Sequence, residues 1–241
     1  MKLQNSIALV TGANRGIGRE IVRALLASGA KKIYATARDS STLGAIVALD
    51  PQRITPLALD VTDITSVDAA SLQAADVNIV FNNAGVLDFG NFLDVPTDKI
   101  ERQFNTNFWG KLNVARSFTP VLESNGGGSL VNMLTLVALA SMPGLSTYNA
   151  SKAAAWSMTQ SLRATLSAKN IAVFGVFPGA VDTDMLAGVN MPKTSPAEIA
   201  RSIMQGIEAD SEDIFPDAMS QQLYTAWKAD HKAVERQFAT M

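Results

Sequence analysis

Short apolar runs recur along the chain at residues 7–11, 32–37, 54–59, 78–82, 128–135 and 171–177, with a brief one at 213–215. Several are rich in Val, Ile, Leu or Phe and lack strict alternation. That is the pattern of parallel strands buried on both faces. Between them lie stretches with helical character, at 16–28, 62–74, 97–122, 145–168 and 196–208. Strand–helix alternation of this kind implies right-handed crossovers. The predicted fold class is α/β, a doubly wound parallel sheet of about seven strands with helices on both faces. No Pro/Gly/Ser linker divides the chain and no repeat is visible, so residues 1–241 read as one domain.

Composition narrows the function classes. A 47% hydrophobic content beside 17% charged residues describes a soluble globular chain with a large core. A net charge of −2 without a basic block favours neither nucleic acid nor an anionic membrane. There are no cysteines, which excludes disulfides, thiolate catalysis and cysteine metal sites. The first residues lack a signal-peptide layout, and no apolar run approaches the ~18 residues of a membrane helix. A reducing, cytoplasmic compartment is the expectation. The single histidine, His231, lies in a polar stretch and reads as a surface residue, so no metal site is expected.

Tyr148 and Lys152 stand four residues apart in Ser146-Thr147-Tyr148-Asn149-Ala150-Ser151-Lys152, one helical turn, and leave the same face. A phenol titrates near ~10, and a nearby ammonium lowers that value. Such a pair can protonate a carbonyl oxygen or accept a proton from an alcohol. The spacing is not decisive alone, because Tyr224 and Lys228 repeat it. That second pair reads as a solvated helix face.

Context comes from the glycines. The first strand runs into Thr11-Gly12-Ala13-Asn14-Arg15-Gly16-Ile17-Gly18 and then a helix. Glycines permit a tight turn and a close backbone approach to pyrophosphate, and the helix start offers free N–H groups. A P-loop is excluded, since no Lys-Ser/Thr pair follows. The second strand ends Tyr34-Ala35-Thr36-Ala37-Arg38. An acid that would hold a ribose 2′-hydroxyl is missing at Ala37, whereas Arg38, with Arg15, suits a 2′-phosphate. NADP(H) is therefore favoured over NAD(H), and the neighbouring Asp39 keeps NAD open.

Together, the glycine loop and the Tyr148/Lys152 pair resemble the short-chain dehydrogenase/reductase family, in register over about the first 185 residues. The resemblance implies a Rossmann-like fold and roles for further motifs. Asp60 and Val61 would contact adenine. Asn82-Asn83-Ala84-Gly85 would support the sheet and line the cofactor. Asn107 would serve a proton relay. Pro178, Gly179, Val181 and Thr183 would hold the nicotinamide amide. Where the family carries a serine, this chain has Thr135, which keeps the hydroxyl but adds a methyl and a stiffer χ1.

The implied activity is reversible hydride transfer between a nicotinamide and a carbonyl or alcohol substrate. Tyr148 would act as the acid or base. Thr135 would hold the carbonyl oxygen, and Lys152 would lower the tyrosine pKa and bind the nicotinamide ribose. Leu87, Phe89, Leu136, Val137, Met142, Leu145, Met185 and Leu186 are the candidate pocket walls, with no basic residue placed for a substrate anion. An apolar ketone, aldehyde or secondary alcohol follows. The segment about 185–195 would be a substrate lid. In the family, the helices at 97–122 and 145–168 pair about a twofold axis, implying a homodimer or homotetramer. The C-terminal segment 210–241, with Trp227 and Phe238, would pack at another interface or on the domain itself. Two rivals stay open: an NAD(P)-dependent enzyme with another outcome, such as an epimerase, dehydratase or enoyl reductase, and a dinucleotide-binding sensor or scaffold with little turnover.

Overall fold

The computed structural model describes residues 2–240. Seven parallel strands form one sheet: β1 (Ile7–Val10), β2 (Lys32–Ala37), β3 (Ile54–Ala58), β4 (Ile79–Asn82), β5 (Gly128–Met133), β6 (Ile171–Val176) and β7 (Asp213–Ile214). Their order across the sheet is β3-β2-β1-β4-β5-β6-β7. The chain thus winds one way from β1 to β3, then crosses back to add β4 on the other side of β1. A crevice opens above the carboxyl ends of β1 and β4, where the order reverses.

The strands are buried on both faces, which explains their unbroken apolar character. In β1, Ala8 and Val10 join one core while Leu9 joins the other. In β4, Ile79 and Phe81 share the first core and Val80 the second. The first core is covered by α1 (Gly16–Ala27) and α7 (Pro196–Glu208), through Ile21, Val22 and Leu25 against Ile199, Ile203 and Ile207. The second is covered by α3 (Ile64–Gln73), α5 (Gly110–Ser124) and α6 (Ser146–Ser167), through Val67, Val114, Phe118 and Leu166. Side-chain caps set several helix starts: Asp63 accepts from Thr65 N–H before α3, and Ser195 from Glu198 N–H before α7, where Pro196 takes the first position.

The sequence pattern differs from the structure in three places. A short helix, α2 (Gly44–Val47), follows a 3₁₀ turn at Ser40–Leu43 in a stretch without an expected element. The helix expected at 97–122 is divided into α4 (Thr97–Phe104), a π-helical turn (Asn105–Trp109) and α5. Residue periodicity does not reveal one extra residue in a turn. The C-terminal residues fold into α8 (Ala218–Ala229) and α9 (His231–Phe238), each capped by an aspartate, Asp217 and Asp230.

The turn after β1 has little room. Gly12 takes φ +66°, a conformation that glycine adopts without strain. At Gly18 an added Cβ would stand 2.1 Å from the Gly12 carbonyl oxygen and 2.6 Å from the Asn83 amide nitrogen. Both are fixed groups, so α1 itself would have to shift. Gly18→Ala is expected to destabilise the fold by about 1–3 kcal/mol and to weaken dinucleotide binding. Thermal unfolding and a binding titration check it; wild-type values in both would show that the turn has slack.

Candidate active site

α6 presents Tyr148 and Lys152 from one face, both buried, above the ends of β5 and β6. The Lys152 amine donates to the Met133 carbonyl (2.9 Å) and lies 5.6 Å from the centre of the Tyr148 ring. Thr135 follows β5 in an extended conformation, and its hydroxyl stands 3.5 Å from the Pro178 carbonyl. Burial pushes the Tyr148 phenol up to about 12, with the Thr135 hydroxyl beside it acting in the opposite direction. Burial also pulls the Lys152 amine down to about 8. The expectation that Lys152 would pull the phenol below its usual value is therefore not met: burial raises it, and the opposing influence is the Thr135 hydroxyl rather than Lys152.

Asn107 lies in the π turn and is fully buried. Such turns interrupt helices frequently at functional positions. Its side chain accepts from Val86 N–H (3.0 Å) and donates to the Val86 carbonyl (2.9 Å) and to the Ser151 hydroxyl (3.0 Å). Ser151 in turn donates to the Tyr148 carbonyl (2.7 Å). A Cβ built on Gly85 would lie 3.2 Å from the Asn107 side-chain oxygen and 3.5 Å from the Lys152 amine. Asn107 thus stands behind Gly85, next to the lysine, rather than on the cleft wall.

One cleft of about 900 Å³ joins these groups to the glycine turn. Gly12, Asn14, Arg15, Gly16, Ile17, Gly18, Arg38, Asp60, Val61, Asn83, Ala84, Gly85, Pro178, Gly179, Val181 and Thr183 all line it, as do Thr135, Tyr148 and Lys152. So do Leu87, Phe89, Leu136, Val137, Met142, Leu145, Met185 and Leu186 at the other end. The residues fit a dinucleotide. The residue before α1, Arg15, makes no side-chain cap, which leaves the first N–H groups of the helix free for phosphate. The glycine turn provides a backbone cradle that side chains would fill. Arg38 lines the cleft together with Asp39 and Thr42. The Asp39 carboxylate caps the following 3₁₀ turn through Ser41 N–H (2.9 Å), and this hydrogen bonding holds its pKa below the usual value. Arg15 pairs with Asp184 at 3.2 Å. That pair is exposed, so it contributes little energy and yields readily.

Several cleft residues lay outside the sequence reading. Met219, Gln222, Gln237 and Phe238 line the same cleft from α8 and α9. Phe238 and Val234 pack with Leu136, Val137 and Tyr148. The C-terminal segment therefore closes the pocket of its own chain, a contact that no local motif announces. Lys111 was also missed. It is fully buried, and burial followed by repulsion from Lys152 lowers its pKa well below the ordinary lysine value. Tyr224 and Lys228 are absent from the cleft lining. The Tyr224 ring is half-buried and stacks on Phe215 with ring centres 4.0 Å apart, while Lys228 is exposed, as a solvated face implies, with its amine 4.6 Å above Tyr224. His231 is exposed at the start of α9. Among the described residues no group of acids and histidines is arranged to hold a metal. Nor, among them, is any helix long and apolar enough to cross a membrane.

Comparison with known proteins agrees with this geometry. The short chain dehydrogenase family model matches residues 6–194. A short chain dehydrogenase from Burkholderia cenocepacia J2315, solved in complex with NADP, superposes with a TM-score of 0.93 at 33% identity over 99% of each chain. Carbonyl reductase (NADPH) 2 of Sus scrofa is 33% identical over 201 residues, 82% of this chain and 79% of that protein. The probable oxidoreductase EphD of Mycobacterium tuberculosis is 34% identical over 207 residues, 81% of this chain; the chain spans only 34% of EphD. With most of its length matched by the family and its sheet superposing along the whole chain, the protein belongs to the short-chain dehydrogenase/reductase family, whose members bind a nicotinamide dinucleotide.

Proposed function

We propose that the protein is an NADP(H)-dependent carbonyl reductase or alcohol dehydrogenase acting reversibly on an apolar ketone, aldehyde or secondary alcohol. The observation that carries this reading is the burial of Tyr148, Lys152 and Thr135 together at one end of the dinucleotide-shaped cleft. The bound dinucleotide supplies or takes the hydride. Tyr148, whose phenol stays protonated well above neutral pH, donates its proton to the carbonyl oxygen. Thr135 donates a second hydrogen bond to that oxygen. Lys152 holds the nicotinamide ribose and, with a pKa of about 8, passes a proton to the phenol. Asn107, behind Gly85, holds the water that resupplies the lysine.

Support for NADP(H) comes from Arg38 in the cleft lining and from Asp39, whose carboxylate is engaged by Ser41. The carbonyl reductase and the NADP complex among its relatives point the same way. An apolar substrate is supported by Leu136, Val137, Met142, Met219 and Phe238, which line the cleft with Tyr148, while the lining carboxylate next to the lid residues, Asp184, is paired with Arg15. We read 185–195 as the lid. Met185, Leu186, Val189 and Met191 face the cleft, and a bridge between Val181 and Thr194 closes the base of the loop. A homodimer or homotetramer through α4, α5 and α6 belongs to the same reading, supported by the half-exposed Trp109.

Tyr148→Phe is expected to bind NADPH as wild type does and to lose ~10²–10⁴-fold in kcat; consumption of NADPH across a panel of ketones measures it, and undiminished turnover removes Tyr148 as the acid. Arg38→Ala is expected to weaken NADPH binding at least about tenfold, the loss of one charge-assisted contact, while leaving NADH binding nearly unchanged. Equal losses for both would place Arg38 away from the 2′-phosphate. Ketone reduction consumes a proton, and Lys152 carries one only below its pKa of about 8. Reduction should therefore slow, and alcohol oxidation quicken, as pH rises through that value or, with the dinucleotide's phosphate charge in the cleft, somewhat above it. A pH–rate profile flat from about 7 to 10 in both directions would contradict the relay.

A further inference from the structure

Lys111 occupies the first turn of α5, two residues beyond the π turn, with no exposed surface. An apolar residue would fill this place without the cost of desolvating an amine. The amine donates to the Asn82 carbonyl and to the Ala84 carbonyl (3.3 Å). In return the Asn82 side chain donates to the Lys111 carbonyl (2.9 Å). These two carbonyls flank Asn83, whose amide holds the glycine turn through Thr11 and Gly12. Ala84 N–H adds a bond to the Thr11 hydroxyl (2.9 Å). One residue further on, Gly85 faces Asn107 and the Lys152 amine.

We propose that Lys111 is a positioning residue for this enzyme: by holding the carbonyls of Asn82 and Ala84 it fixes the turn 82–85 against the glycine turn on one side and Lys152 on the other. It touches neither substrate nor dinucleotide. It acts through a backbone segment that lines the cleft, where a displacement of a few tenths of an ångström reaches both the dinucleotide and the proton path. The kinetic half of the inference rests on the carbonyl reductase reading. The binding half rests only on membership of a dinucleotide-binding family, and is read with NADH in place of NADPH if the wild-type chain binds NADH more tightly.

The test compares Lys111→Met, which keeps the length of the side chain and removes the donor, with Lys111→Gln, which keeps an N–H donor. Thermal unfolding establishes that each variant folds. NADPH affinity is then read by quenching of tryptophan fluorescence, and kcat and KM are read at saturating NADPH. Lys111→Met should weaken NADPH binding about tenfold and lower kcat about tenfold, within the range that small misplacements produce. KM for the carbonyl substrate should not change, and Lys111→Gln should recover most of both losses. Wild-type affinity and kcat in Lys111→Met would overturn the proposal. So would losses that only follow the unfolded fraction, or failure of both variants to fold, which would make Lys111 a requirement of the fold alone. If the wild-type enzyme reduces no carbonyl compound, the functional reading fails while the NADPH comparison still decides the role of Lys111.

Discussion

The Asn83 amide donates to two carbonyls at once, those of Thr11 (2.9 Å) and Gly12 (3.3 Å), where β1 ends and the glycine turn begins. Parallel strands on either side of a topological switch point diverge at their carboxyl ends, and nothing in the ladder itself closes the gap between the two loops that leave them. Asn83 closes it, together with the bond from Ala84 N–H to the Thr11 hydroxyl (2.9 Å). The turn after β1 and the turn after β4 then move as a unit. Asn14 to Gly18 on one side and Ala84 to Gly85 on the other become two walls of one cleft. Gly18 is held to its small size by the same amide, since a methyl there would collide with it.

Behind that contact a chain of buried polar groups extends across the sheet. Asn82 donates to Asn132 (3.2 Å), and Asn132 donates to Thr159 on α6 (3.0 Å). Buried amides are costly unless bonded, and bonded ones prescribe direction. Here they join β4 and β5 to the helix that carries Tyr148 and Lys152. On the same helix Thr147 accepts from Gln103 of α4 (2.6 Å) and Ser151 accepts from Asn107. The face of α6 that carries Tyr148 and Lys152 is thereby fixed in rotation by hydrogen bonds on both flanks, while Leu166 packs the helix into the core against the sheet.

What was legible in the sequence follows from how local each signal is. The strands showed because burial on both faces imposes an apolar run. The glycine turn showed because close backbone approach excludes side chains. The four-residue step from Tyr148 to Lys152 is a property of one helix. The π turn at Asn105–Trp109 was hidden, because a single inserted residue shifts the hydrophobic phase by less than the pattern can register. The pocket wall from α9 was hidden for another reason. Phe238 meets Leu136 and Tyr148 only after the chain has folded back across the cleft, and no local periodicity encodes a contact between residues so distant in sequence. Lys111 belongs to no motif, and a lone lysine in a helix gives no local sign of burial; only its neighbours in the fold show it buried.

Three buried titratable groups, Tyr148, Lys152 and Lys111, gather near the turn 82–85. The buried carboxylate among the described residues, Asp217, is engaged elsewhere, by Gly179 N–H (2.8 Å) and Ser220 N–H (2.9 Å). Desolvation therefore has no local counter-charge and drives each group toward its neutral form: the phenol rises and both amines fall. As they stand, the phenol and Lys152 have widely separated proton affinities, which is a poor arrangement for passing a proton between them. On the proposed reading Lys152 gains a counter-charge when an anionic dinucleotide enters the cleft it lines. The ammonium form then becomes easier to hold, and an ammonium near the phenol favours the phenolate in turn. The two affinities move toward each other. On that reading, the lysine effect expected from the spacing of Tyr148 and Lys152 depends on the bound anion and not on the helix spacing alone.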